Sequence, residues 1–183
     1  MICRSFLAVL IFASISLSLN IASAEPLSAS GLDMIGPDEY EVFNAVLEKY
    51  DAFVVIGRTT MTERKLDSAS IKHLTQSGVK VDDYLADDFN KKNIISYKIE
   101  KRFSKKRYFM DESYPVHPGN GKESVKISRA GFDKEKNRAV IFIRYQSIAA
   151  QKAFYEEGNF VFLERKESKW IVVKTVMVSQ RYY

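Results

Sequence analysis

The chain has 183 residues, 46% of them apolar, with 28 lysines and arginines against 23 aspartates and glutamates and a formal net charge of +5. A single cysteine and two histidines exclude a disulfide framework and any metal site built on cysteines. A chain of this length buries one core as a single domain.

Residues 1–24 have the plan of a secretory signal. Arg4 supplies the positive start, Phe6 to Leu19 the apolar stretch, and Ala22-Ser23-Ala24 a small-residue cleavage site before Glu25. The stretch is serine-rich and shorter than the ~20 apolar residues that span a bilayer. Cleavage is expected between Ala24 and Glu25, leaving a secreted or periplasmic product, residues 25–183, with no transmembrane segment. Cys3 departs with the peptide. A cysteine-free product without an N-x-S/T sequon favours a bacterial envelope over a eukaryotic secretory route.

Leu27 to Gly36 reads as loop. Gly36-Pro37-Asp38-Glu39 starts a helix, because Pro suits the first helical position and acids suit the positive end of the dipole. Val42, Phe43, Val46, Leu47 and Tyr50 form its apolar face, with Glu39, Glu41, Glu48 and Lys49 elsewhere on the wheel. Ala52 to Thr60 reads as a strand. Asp67 or Ser68 caps a short helix through Leu74, ended by Gly78. A further helix, about Asp82 to Lys92, turns Val81, Tyr84, Leu85 and Phe89 inward, and Asn93 terminates it. Tyr97 to Phe103 alternates apolar and polar residues, as a half-exposed strand does, and Tyr108-Phe109-Met110 continues it or pairs with it. Ser113 to Lys122, rich in Pro and Gly, is loop.

The strongest pattern comes last. Val125 to Asp133, Arg138 to Ser147, Asn159 to Lys166 and Lys169 to Val178 read as antiparallel strands, dense in β-branched and aromatic residues. Asp133 to Asn137 and Lys166-Glu167-Ser168-Lys169 supply the polar turns. Apolar centres with charged ends indicate central strands covered on at least part of both faces. Ser128-Arg129-Ala130-Gly131-Phe132-Asp133, then Arg138 to Phe142, Gly158 to Lys166, Lys169-Trp170 and the earlier Asp88-Phe89-Asn90-Lys91-Lys92-Asn93, resemble a family of small exported bacterial proteins with an "SRxGF(D/N)…A" strand motif. The resemblance covers roughly the second half of the chain. It implies a shape without a named activity, with Ser128, Arg129, Gly131, Phe132 and Trp170 as structural residues. Where that family has a glycine-rich segment, Ile148 to Glu157 here reads as helix-compatible.

Three constellations carry charge or chemistry. Asp82, Asp83, Asp87 and Asp88 read as the solvated face of an amphipathic helix rather than a catalytic pair or a calcium loop. His73 and His117 lack any metal or triad signature around them. Lys101, Arg102, Lys105, Lys106 and Arg107, interleaved with Phe103, Tyr108 and Phe109, form a possible anionic-partner patch or a charged edge that resists aggregation. Export and a modest net charge argue against nucleic acid. Gly131 permits a bulge or turn, and Arg129 pairs with an acid.

Helices gathered first and strands last give an α+β class: a curved antiparallel sheet of about 4–6 strands with N-terminal helices packed on one face. That architecture resembles the NTF2-like and cystatin-like cone. Two functional classes follow. The first is a non-catalytic binding or inhibitory module in the envelope, facing an envelope protein or an anionic envelope component. The second is a small cofactor-free enzyme using a pocket carboxylate or His73. No cofactor, metal or catalytic residue is assigned from the sequence.

Overall fold

The computed structural model of the protein describes residues 34–50, 54–110, 122–148 and 154–183. The expected signal segment, the Pro/Gly loop with His117, and the centre of the 148–157 segment lie outside the described residues.

Each helix begins where its capping chemistry places it. Helix α1 (Pro37–Leu47) follows Gly36 with Pro37 in its first turn and buries Val42, Phe43, Val46 and Leu47. Helix α2 (Ser68–Gln76) is capped by Asp67, whose Oδ1 accepts from Ser70 N at 2.8 Å. Gly78, at φ 79°, ends the turn that follows it, a conformation that costs glycine no Cβ clash. Helix α3 (Asp83–Lys92) is capped by Asp82 and closed by Asn93, with Leu85, Ala86 and Phe89 buried. Tyr84, expected inward, is exposed instead. Leu85 and Phe89 are four apart and set the buried face, and Tyr84 lies about 100° round the wheel from Leu85.

Among the described residues seven strands form one sheet: β1 (Val55–Ile56), β2 (Tyr108–Phe109), β3 (Lys122–Ile127), β4 (Gly131–Phe132), β5 (Arg138–Ile148), β6 (Phe154–Lys166) and β7 (Lys169–Tyr182). Their order is β2-β1-β3-β5-β6-β7, with β4 paired to β5. The sheet is curved and does not close. The α+β class and the packing of N-terminal helices on this sheet are as expected. The sheet is mixed rather than antiparallel throughout, because β1 runs parallel to both β2 and β3. Both hairpin turns fall at the expected polar runs, and Glu167 and Ser168 take φ of 48° and 65°, the mirror-image turn that suits right-twisted strands.

Three expectations from the sequence are corrected. The strand foreseen at 52–60 narrows to Val55–Ile56, with isolated bridges from Thr59 to Lys98 and Met61 to Ser128. Tyr97 to Phe103 is not a strand: Glu100 N donates to Tyr40 Oη at 2.8 Å, and just beyond it Ser104 N donates to Asn44 Oδ1 at 2.9 Å. Side chains of α1 thus satisfy backbone donors that a ladder would otherwise take. The described part of the helix-compatible segment, Phe154 to Glu157, is strand, paired to Tyr145–Ile148 of β5.

Helices occupy both faces of the sheet rather than one. Residues 139, 141 and 143 of β5 and 161 and 163 of β6 join α1 in one core. Val140, Phe142, Phe160 and Phe162 join Leu74 of α2 and Leu85, Ala86 and Phe89 of α3 in the other. Successive strand residues alternate faces, and β5 and β6 are apolar at both parities, so each side needs a cover. On the α3 side the approach is close. A Cβ at Gly131 would lie 2.5 Å from Phe89 Cβ and 2.7 Å from its backbone, and no residue but glycine fits there without moving the helix.

Candidate functional site

The motif residues around Arg129 build an internal joint. Ile127 pairs with Ile143 and Gly131 with Val140, so three residues of one strand oppose two of the other, a β-bulge. Ser128 keeps the ladder intact across it. Its N–H donates to Phe142 O and its Oγ accepts from Phe142 N, both at 2.9 Å. The bulge turns Arg129 toward α1, where Nη2 donates to Glu39 Oε2 at 2.7 Å and Nε to Oε1 at 3.1 Å. Glu39 also accepts from Gly36 N and Ala130 N at 3.1 Å, so each oxygen has two donors. Arg129 N donates to Asn93 Oδ1 at 2.8 Å, and Asn93 Nδ2 returns to Arg129 O at 3.1 Å. The joint therefore ties the start of α1, the end of α3 and the bulge together. Burial alone would lower the Arg129 pKa, and the Glu39 carboxylate raises it beyond that. Glu39, expected on the polar side of its helix, is buried because the bulge brings it a guanidinium. Phe132 and Trp170 pack against each other at 5.6 Å on the α1 side.

The basic segment is divided by the fold. Arg107 is buried, and its Nη2 donates to Leu47 O at 2.6 Å and Nη1 to Tyr50 O at 3.3 Å. It supplies the cation that α1 lacks in its own last turn, where the dipole favours one. That corrects its placement on a surface patch. Arg102 pairs with Glu100 at 2.6 Å. Lys101, Lys105 and Lys106 are exposed and, with Phe103, Ser104, Arg107 and Tyr108, line an open groove of about 480 Å³. No acidic residue is among the described residues lining it.

A second surface was missed. It lies on the α1 side of the long β5–β6–β7 hairpins. Tyr145 pairs with Glu157, and Tyr155 with both Ser147 and Tyr182. Tyr50, just past α1, stacks on Tyr145 at 5.7 Å and an angle of 20°, and Tyr145 meets Tyr155 edge-on at 6.3 Å. Glu157 accepts from Tyr155 Oη at 2.5 Å and from Asn159 Nδ2 at 3.1 Å. Lys49 Nζ lies 5.0 Å from the Tyr50 ring centre. The sequence held a trace of this surface in the period-two run Tyr155-x-Glu157-x-Asn159, but only strand register sets it opposite Tyr145.

Electrostatics in this surface centre on Glu157. Burial pushes the Tyr50 phenol up, with Glu157 and Tyr145 adding to it. Burial, then a hydrogen bond to Glu123, pushes Tyr145 up to about 12. The hydrogen bond to Glu157 raises Tyr155. Burial lowers Lys49, and Glu157 opposes that shift. At neutral pH these phenols are donors, not bases. Because their folded pKa values lie above the unfolded value, the stability they contribute is whole below about pH 10 and is lost as pH rises through the folded values. Alkaline titration followed at the tyrosinate band is expected to show some of the ten tyrosines ionising only as near-ultraviolet circular dichroism collapses. Ionisation of all ten in one step with the fold intact would contradict this.

The remaining candidates do not converge. His73 is exposed on α2. Asp82 caps α3 and pairs with Arg138, Asp87 lies 4.0 Å from Lys91, and Asp88 accepts from Phe132 N at 2.8 Å and Lys92 Nζ at 2.7 Å. Asp83 is exposed. Among the described residues no group of three or more His, Cys, Asp or Glu side chains is arranged to hold a metal ion. No protein family, curated protein or solved structure matches the chain.

Proposed function

We propose that the protein is an exported, non-catalytic binding module whose groove beside α1 docks an anionic component of the cell envelope. The observation that carries this reading is the groove itself: three exposed lysines beside Phe103 and Tyr108, with no acid among the described residues that line it. A cationic concavity raises the local concentration of an anionic head group or polymer and orients its approach. Export rests on the Arg4 start, the apolar stretch and the Ala22-Ser23-Ala24 site. The comparison with an NTF2-like or cystatin-like cone rests on the α1 side of the curved sheet alone, since α2 and α3 cover the other side. One observation favours the second reading, a cofactor-free enzyme: Glu157 is a partly buried carboxylate among phenols. The protonated state of those phenols favours binding over base catalysis.

The test is association of purified protein with an envelope fraction at low and moderate salt. Contacts between exposed charges are screened beyond about 8 Å at physiological ionic strength, so binding should weaken steeply with salt. Replacing Lys101, Lys105 and Lys106 with Ser is expected to abolish association at low salt while stability stays within about ±0.5 kcal/mol per site. Arg107→Ser belongs to another class and should destabilise the fold, because it uncaps α1. Association that ignores both salt and the triple substitution overturns the reading. The envelope form should have an intact mass that begins at Glu25; full-length chain in the cytosol would overturn the export step.

A further inference from the structure

We infer that the tyrosine-lined face of β5, β6 and β7 is a recognition site for a small organic cation, an alkylammonium head with an apolar body. Glu157 is its counter-charge, and the rings of Tyr50, Tyr145 and Tyr155 are the surface on which it lies. The inference is independent of the groove, since it assigns the opposite charge to a different set of side chains.

Charge is the first argument. Glu157 and Glu123 both act on the Tyr145 phenol, and Lys49 is the cation that Glu157 acts on from the end of α1. Arg107 lies near, but its guanidinium faces the carbonyls of Leu47 and Tyr50. Among the described residues, two carboxylates against one lysine repel an anion and favour a cation. Unused capacity is the second. Among the described residues each oxygen of Glu157 accepts one hydrogen bond, from Tyr155 or from Asn159, whereas an ionised carboxylate has about four lone-pair sites. Tyr50 Oη is buried with no hydrogen-bond partner among the described residues, unusual for a buried phenol.

The third argument is that the face already handles an ammonium. Lys49 Nζ stands over the Tyr50 ring at 5.0 Å from its centre, inside the range in which ring quadrupoles attract cations, about 6 Å. Burial lowers the pKa of this lysine, so its charged form is held less well than in water. An incoming cation whose charge is spread over methyl groups loses less hydration and keeps the same attraction to the rings. The stacked pair Tyr50–Tyr145 and the edge-on Tyr155 offer two ring orientations within one side-chain length of Glu157.

The probe is butyltrimethylammonium chloride, titrated into full-length or processed protein labelled on tyrosine rings, with sodium chloride at equal ionic strength as the reference. Saturable shifts are expected at the Tyr50, Tyr145 and Tyr155 rings and not in the sodium chloride series. Glu157→Gln should weaken binding by about tenfold or more, the range for loss of one charged partner. Tyr145→Phe, which keeps the ring, should bind as the parent does, and Lys49→Ala should bind more tightly. The groove variant lacking Lys101, Lys105 and Lys106 should bind the probe unchanged, so failure of either proposal leaves the other standing. Absence of a saturable shift, or equal affinity in parent and Glu157→Gln, overturns the site. If Glu157→Gln does not fold, equal affinity of the parent and Lys49→Ala overturns it.

Discussion

Removing either partner of the Glu39–Arg129 pair is expected to cost about 3–5 kcal/mol, the range for leaving one buried charge without its partner. Both side chains are almost wholly enclosed, at 4% and 3% exposed. Arg129→Ala strands a carboxylate that still has the N–H groups of Gly36 and Ala130. Glu39→Ala leaves a buried guanidinium without its carboxylate, with Met34 O at 3.1 Å among its acceptors, and it also removes the acceptor for both of those N–H groups. The Glu39 substitution should therefore be the worse of the two. A double Glu39→Ala, Arg129→Ala variant removes both charges, and its cost should fall below the sum of the singles while staying above zero. Urea unfolding of all four proteins gives the coupling energy directly. Single substitutions that each cost under about 1 kcal/mol would mean that the pair is not the joint between α1, α3 and the bulge.

Trp170→Ala should lose a comparable amount, about 3–5 kcal/mol, as for other large aromatic truncations in a packed core. Trp170 is 7% exposed and opens β7, against Phe132 at 5.6 Å and beneath the Arg165 guanidinium at 5.6 Å. These neighbours belong to two different strands, β4 and β6, so they cannot collapse together into the space an indole leaves. Its Nε1 is buried and has no hydrogen-bond partner among the described residues. Trp170→Phe therefore loses volume but also removes an unsatisfied donor, and it should cost far less than the alanine change. Thermal and denaturant unfolding decide the matter. An alanine variant within roughly 1 kcal/mol of the parent would place the indole outside the core.

Much of this architecture was legible because its causes are local. Asp67, Asp82 and Asn93 bound α2 and α3 by side-chain capping, which needs only neighbours three or four residues away. The strands β5, β6 and β7 followed from β-branched and aromatic runs, and the β6–β7 register starts from the polar turn at Lys166 to Lys169. The bulge at Ser128 to Ala130 was foreshadowed by Gly131, although its reason is the Phe89 backbone. What failed was whatever depends on a partner distant in sequence. Tyr97 to Phe103 alternates as a strand does, yet side chains of α1 bind at Glu100 and Ser104. Glu39 looked solvated until Arg129, ninety residues on, met it.

The candidate sites divide in the same way. The basic segment could be read directly, since charge density is a property of composition. Its separation into groove lysines, a paired Arg102 and a helix-capping Arg107 could not, because it depends on where α1 ends in space. The tyrosine face is wholly tertiary: Tyr50, Tyr145, Tyr155 and Glu157 come from a helix end and two strands, and only antiparallel register brings Tyr145 opposite Glu157. By itself the sequence determined the elements, their apolar faces and the α+β class, because hydrophobic periodicity and capping act within a few residues. The tertiary structure alone decided which face each helix covers, which charges are buried and which phenols surround Glu157, because those depend on pairings that close loops tens of residues long.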